Sequence, residues 1–282
     1  MKATAKNMFS MSAPKGDLDT SPGSYRGLEA SSLLYEAHLS SICLEDHSTR
    51  CFNFDISTAY DVQDMVTLQK VVNNGERVLG YKISLTSEET QSWFKASEPA
   101  YGTLTDRNFS KPYLDLKDLS EPLLEAELIL IPVSELVPSM TDRELAANLV
   151  VAPGLEIPDS RFRNWFPVLP LNVIISDNSV AGKVVMGSPV KIPEPDDFAR
   201  IRLLLSRDEK LLSEGISSTV LGNPLNSVRW LMNKLASRGE KLAPGMRISS
   251  GTLTLPVKLE TGKYHAAYTM VGDVDLEVVR TA

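Results

Sequence analysis

The sequence predicts an α+β protein in which a small N-terminal helical lobe precedes a β-rich body. Two observations carry this. Apolar residues recur at helical spacing early in the chain, through Leu33, Leu34 and Ala37 and again through Val62, Met65, Val66 and Val72. After position 78 they gather instead into short runs bounded by Gly, Pro, Asn and Asp, as strands and turns require. A chain of 282 residues can bury a sizeable core, and it divides into a disordered tail at 1–26, the lobe at 27–77 and the body at 78–282.

Taken in order, the lobe holds one helix from Leu28 to about Ser41 and a second from an N-cap at Ser57. Asn74-Gly75 is a turn, and Val78 to Ile83 is a strand that delivers Lys82. Thr86-Ser-Glu-Glu89 has the pattern of a capping box opening a short helix through Trp93 and Phe94. Glu98 to Asp106 returns as a loop into a strand, with Asp106 placed for a polar contact or a turn cap. Leu123 to Val133 is the longest apolar strand, Asp142 to Asn148 a short helix, and Leu149 to Ile157 a further strand. Trp165 begins an apolar passage that ends in the polar set Ser176, Asp177, Asn178 and Ser179, either a site lining or a turn. Ile201 to Leu205 and Lys210 to Leu212 pair across a tight turn. Asn223 caps the clearest helix, with Pro224 at its first position, a stripe from Leu225 to Leu235 and a stop at Gly239. Ser249 to Thr252 is expected as a tight polar connection, and Lys263 to Met270 as an alternating strand.

Composition narrows the partners. The net charge of -7, without a Lys/Arg run, argues against nucleic acid or an anionic membrane. There is no apolar run of bilayer length, and Met1 to Ser12 lacks the apolar core of a signal peptide. Cys43 and Cys51 lack metal-ligand spacing and point to a reducing compartment, so a cytoplasmic protein is expected.

The chemistry lies in three carboxylates set in apolar strands. Glu125 and Glu127, two apart, share one strand face while Leu124, Ala126 and Leu128 share the other; Glu156 stands alone between Leu155 and Ile157. Either the E-x-E face meets solvent, or the acids are buried and hold a hard divalent cation such as Mg²⁺ or Mn²⁺. Lys82 has the same two readings, a solvated strand end or a charge facing the acids.

Several motifs recur in an order that marks a family: Ala59-Tyr-Asp-Val-Gln63, Gly80-Tyr-Lys-Ile-Ser-Leu-Thr-Ser87, Leu124-Glu-Ala-Glu-Leu128, Leu155-Glu-Ile-Pro-Asp-Ser-Arg161, Asp177-Asn178, Leu221-Gly-Asn-Pro-Leu-Asn226, Trp230-Leu231 and Ser250-Gly251. From about Tyr60 onward the chain resembles the 2-keto-4-pentenoate hydratase and 4-oxalocrotonate decarboxylase branch of the fumarylacetoacetate hydrolase superfamily. That resemblance implies a fumarylacetoacetase-like mixed β-sheet roll or sandwich at 78–282, forming a homo-oligomeric, metal-dependent lyase of a 2-oxo acid. It implies Glu125, Glu127 and Glu156 as Mg²⁺ or Mn²⁺ ligands, Lys82, Asp177 and Ser179 as catalytic, and Leu85, Tyr101, Ser250, Gly251 and Thr252 as substrate-binding. The metal would stabilise an enolate common to hydration and decarboxylation.

Two departures stand out against that pattern. Ala100 replaces the acid that hydratases of the branch carry there, and Asp177-Asn-Ser-Val180 replaces Asp-Asn-Ala-Ser, which moves the serine by one place. On an extended segment such a shift turns it to the other side. The departures admit a repurposed enzyme acting on a larger β-dicarbonyl metabolite, and kinship within the branch admits a non-catalytic partner subunit. His38, His47 and His265 do not form a hydrolytic His-Glu pair, which disfavours C–C hydrolysis.

Overall fold

The computed structural model describes residues 22–45, 50–192 and 194–281. Helix α1 (Pro22–Ser40) starts inside the segment expected as tail; the rest of that tail, 1–21, lies outside the described residues. Helix α2 (Ile56–Asn74) is capped by Asp55 rather than Ser57, because the extended Asp55 backbone lets its carboxylate accept the Thr58 N–H at 2.8 Å. Gly75, at φ 66°, closes it. Strand β1 (Val78–Ser84) leads to α3 (Glu88–Phe94), whose cap is Ser87 and not Thr86. The chain continues through β2 (Ala100–Thr105), β3 (Tyr113–Asp115), β4 (Leu123–Pro132), α4 (Asp142–Ala147), β5 (Leu149–Ile157), α5 (Leu171–Ser176) and β6 (Lys183–Met186). Strands β7 (Arg202–Arg207) and β8 (Lys210–Ile216) form the expected hairpin, and α6 (Pro224–Ser237) has Asn223 as its cap. Strands β9 (Arg247–Thr252), β10 (Val257–Lys258), β11 (Gly262–Tyr268) and β12 (Gly272–Val279) complete it.

These strands form two sheets. One runs β2-β1-β9-β4-β5-β6 with β10 added to β4, and the other runs β3-β12-β11-β7-β8. Leu128, Leu130, Leu155 and Val185 of the first share one core with Leu203, Leu205, Ala266 and Leu276 of the second. The Tyr268 hydroxyl donates across it to Gly154 O at 2.6 Å. A second core, with Leu34, Val62, Val66, Phe162 and Val173, joins the helices to the body. Gln63 pins the lobe there, its Nε2 donating to Tyr101 O and Ile175 O at 2.9 and 3.1 Å. Among the described residues no helix is long and apolar enough to cross a membrane.

Two local expectations are overturned. Ser249 to Thr252 is no connection but β9, in the middle of the larger sheet. Its hydroxyls survive burial because they are bonded: Ser249 Oγ donates to Glu127, and Ser250 Oγ accepts the Leu128 N–H. The Asn178 to Val180 segment is not extended either. All three residues are left-handed, at φ 56°, 48° and 52°, held there by Asn178, which accepts the Thr103 N–H at 2.7 Å and donates to Thr103 O at 2.8 Å.

Parallel β1 and β9 approach closely at Gly80, where a Cβ would lie 1.8 Å from Arg247 O. Gly80→Ala should therefore destabilise the fold by on the order of 4 kcal/mol or leave the chain insoluble. Urea denaturation would measure it, and a midpoint equal to wild type would show that the strands can part.

Candidate metal centre and active site

Strand register builds the centre. Antiparallel β4 and β5 set Glu125 opposite Glu156, and β9 lies on the other side of β4 with Thr252 against Glu127. Beyond it β1 places Lys82 beside Ser249. One carboxylate oxygen from each of Glu125, Glu127 and Glu156 lies within 4.8 Å of the others. Glu127 and Glu156 are 1% and 0% exposed and Lys82 is 1%, so neither the acids nor the lysine form a solvated face. Glu125, half-buried, opens toward the pocket.

The cluster is organised but not electrically complete. Glu127 Oε2 accepts from Ser249 Oγ and Gly251 N–H, at 2.6 and 2.9 Å. Glu156 Oε1 meets the Lys82 ammonium at 2.5 Å, while its buried Oε2 has no donor among the described residues. Ionised, three carboxylates and one lysine leave two negative charges uncompensated, which one divalent cation cancels. Burial, against the pull of Lys82 and with the push of Glu156, raises Glu125 to about 7. Burial and then Glu156 and Glu125 raise Glu127 well above its ordinary value. Burial acts to lower Lys82, but the three glutamates outweigh it and leave the ammonium above its usual range. An all-oxygen donor set with an orphaned buried oxygen fits a hard cation.

A pocket opens from this cluster, and Lys82 is the one cation among the described residues lining it. Its apolar lining comes from Phe94 of α3, Trp165 and Phe166 of the loop after β5, and Ile174 and Val180, beside the hydroxyls of Ser84, Thr86, Ser87 and Thr90. Trp165 is anchored by Nε1 donating to Glu121 O at 2.9 Å, and its ring meets Phe166 edge to face. Leu85 and Thr252, expected as substrate-binding, line the pocket. The other expected residues do not line it. Tyr101 turns to the opposite face and stacks on Tyr60 at 4.8 Å. Ser250 is buried beneath the sheet, and Gly251 serves the centre through its N–H and through its closeness to Thr86, whose Oγ1 would lie 2.3 Å from an added Cβ.

Asp177 and Ser179, expected as catalytic, do not line this pocket. Asp177 accepts from Ser160 Oγ, the Arg161 N–H and the Arg161 guanidinium, a buried ion pair behind the wall. Ser179 Oγ donates to Tyr101 O at 2.7 Å. The moved serine thus faces away, and Val180 takes the pocket-facing place. The aromatic wall escaped the sequence reading, where Phe94 and Trp165 were ordinary apolar positions; the capping signal just after Lys82 was the available clue to α3.

A two-sheet roll with a glutamate triad and a buried lysine defines an enzyme of the fumarylacetoacetate hydrolase kind. No family model matches the chain. A curated 2-oxo-hept-4-ene-1,7-dioate hydratase of Escherichia coli is 34% identical over 235 residues, 79% of this chain and 87% of that protein. A 2-hydroxypent-2,4-dienoate hydratase of Pseudomonas putida is 30% identical over 211 residues, 73% of this chain and 94% of the relative. The solved 4-oxalocrotonate decarboxylase of Pseudomonas putida G7, complexed with magnesium and adipate, superposes with a TM-score of 0.83 at 25% identity, covering 90% of this chain and 98% of that one. The chain belongs to the 2-keto-4-pentenoate hydratase and 4-oxalocrotonate decarboxylase branch of the fumarylacetoacetate hydrolase superfamily.

Two measurements follow from the cluster. Calorimetric titration should show Mn²⁺ binding to wild type and its loss in Glu127→Ala; equal binding would remove the triad as a metal site. Folded Glu125 keeps its proton up to about 7, above its ordinary 4.5. In metal-free protein that contribution to stability is complete below the ordinary value and lost as pH rises through about 7. Thermal melts of chelator-treated protein should fall between about pH 5 and about pH 8, while Mn²⁺ affinity rises as binding displaces protons.

Proposed function

We propose that the chain is a divalent-metal-dependent lyase, of hydratase or decarboxylase type, acting on a 2-oxo acid or its enol with an uncharged, apolar tail. One observation carries this: the pocket that Lys82, Glu125 and Glu127 line holds Phe94, Trp165, Phe166, Ile174 and Val180 and, among its described residues, no cation besides Lys82. Glu125, Glu127 and Glu156 would hold Mg²⁺ or Mn²⁺, which when bound supplies Lewis-acid stabilisation of negative charge developing on the acid's carboxylate and keto oxygens.

The protein's own residues supply the rest. Ser249 Oγ and the Gly251 N–H fix Glu127, so the donor set is oriented before anything binds. Lys82 Nζ remains protonated, since the glutamates raise it, and it can donate to the substrate oxygen or carry a proton at that atom. Trp165, Phe166 and Val180 exclude water, which strengthens every charge interaction inside the pocket. Ala100 is buried in β2 and offers no proton. A monoacid such as that named for the Pseudomonas putida relative suits this wall, whereas the second carboxylate of a heptenedioate would meet no cation there.

Val180 and Ala100 also favour a second reading, a repurposed enzyme on a larger β-dicarbonyl metabolite. That reading predicts metal binding with little turnover of 2-hydroxypenta-2,4-dienoate. A non-catalytic partner subunit would have no need of the complete triad and Lys82, which this chain keeps. Residues 78–282 as the catalytic domain, a homo-oligomer and a cytoplasmic location belong to the same proposal; the last accords with Cys43 and Cys51 forming no disulfide.

Lys82→Ala should fold and bind Mn²⁺ yet lose about a hundredfold or more in kcat. Unchanged turnover would take the lysine out of the mechanism. Among 2-oxo-enoic acids of equal length, the apolar-tailed one should exceed its terminal carboxylate analogue in kcat/KM by roughly tenfold or more, and a reversed order would overturn the substrate class.

A further inference from the structure

A second cavity, of about 220 Å³, lies between the helical lobe and the sheet and shares no lining residue with the metal pocket. Its charged walls are Lys70 of α2, Arg107, Arg161 and Lys183, facing Glu76, Asp118 and Asp159, with His38 of α1 beside them. Most of these charges are spoken for. Glu76 Oε2 accepts from Thr105 Oγ1 at 2.6 Å, and Asp159 accepts the backbone N–H groups of Ser120 and Glu121. Arg161 is tied to Asp177, Arg107 stands 4.0 Å from Glu76, and Lys183 Nζ donates to Arg107 O at 3.0 Å.

Lys70 is different. It is 5% exposed and lines the cavity, yet no hydrogen bond or ion pair reaches its ammonium among the described residues. Burial and then Arg161 lower Lys70 to about 8, with Glu76 and Asp177 pulling the other way. Burial, then Lys70, Arg161, Lys183 and Arg107, press His38 down to about 2. Its imidazole is therefore neutral and free to donate one hydrogen bond.

We propose that this cavity binds a small oxyanion, a carboxylate or phosphate group, with the Lys70 ammonium as its principal donor. The anion gives the Lys70 ammonium a hydrogen-bonded partner, and Lys183 at the half-buried rim adds to the attraction. Nothing in this assignment depends on the reaction at the metal centre.

The test uses the metal-loaded full chain, titrated separately with inorganic phosphate and with acetate at constant ionic strength, read by calorimetry and by thermal melting. Wild type should bind at least one of the two saturably and melt higher as it fills. Lys70→Met should melt at or above wild type without anion, since it removes an unpaired buried charge, and should bind the anion about tenfold or more weakly. Lys183→Gln should weaken binding several-fold, which keeps the proposal open to refutation if the methionine variant does not fold. Glu127→Ala, which carries no metal, should keep the anion response, placing it away from the metal centre. No saturable response in wild type, full affinity in the Lys70 and Lys183 variants, or loss of the response in Glu127→Ala would each overturn the proposal.

Discussion

The whole arrangement answers to one electrostatic constraint: two buried carboxylates, the half-buried Glu125 and one buried ammonium lie together within a run of four adjacent strands. Glu125 and Glu156 stand directly opposite each other in an antiparallel pair, where like charges repel. Lys82 compensates part of that repulsion through Glu156. Its position requires β1 to lie parallel and close to β9, which only a residue without a Cβ at position 80 permits. Serines in a central strand follow from the same need, because Glu127 takes its hydrogen bonds from β9. The residues least typical of a sheet interior are thus those that the buried charges demand.

Metal holding and substrate selection are assigned to different parts of the fold. The glutamates and Lys82 sit on central strands, where backbone pairing restrains them on both sides. The apolar lining comes from α3, the loop after β5, α5 and the turn after it, which lie outside the strands that hold the triad. Three consecutive left-handed residues in that turn are unfavourable backbone, stabilised by the reciprocal Asn178 bonds to Thr103 and braced behind by Asp177 and Arg161. That strain points Val180 into the pocket and Ser179 away from it.

Much of this was legible in the residues. The alternation of Leu124, Ala126 and Leu128 against Glu125 and Glu127 assigned the strand's two faces, and Asn223-Pro224 marked the start of α6. Caps were legible only to within a residue or two, since Asp55 and Ser57, or Thr86 and Ser87, are chemically interchangeable acceptors until the backbone chooses one. Ser249 to Thr252 misled because small polar residues signal turns when their partners are unknown. That Arg161 reaches Asp177 was not legible either, because the two lie on separate segments.

The sequence by itself determined what neighbours along the chain determine: helix and strand type, which acids share a face, and the motif order that marks the family. These follow from local periodicity and from side chains bonding within a few residues. Only the tertiary structure decided that Glu156 meets Glu125 and Lys82, that Val180 rather than Ser179 faces the pocket, and that Lys70 is left without a partner. Those facts depend on the register between strands distant in sequence and on helices packing across the sheet. Long-range packing sets both, through contacts that no single stretch of the chain contains.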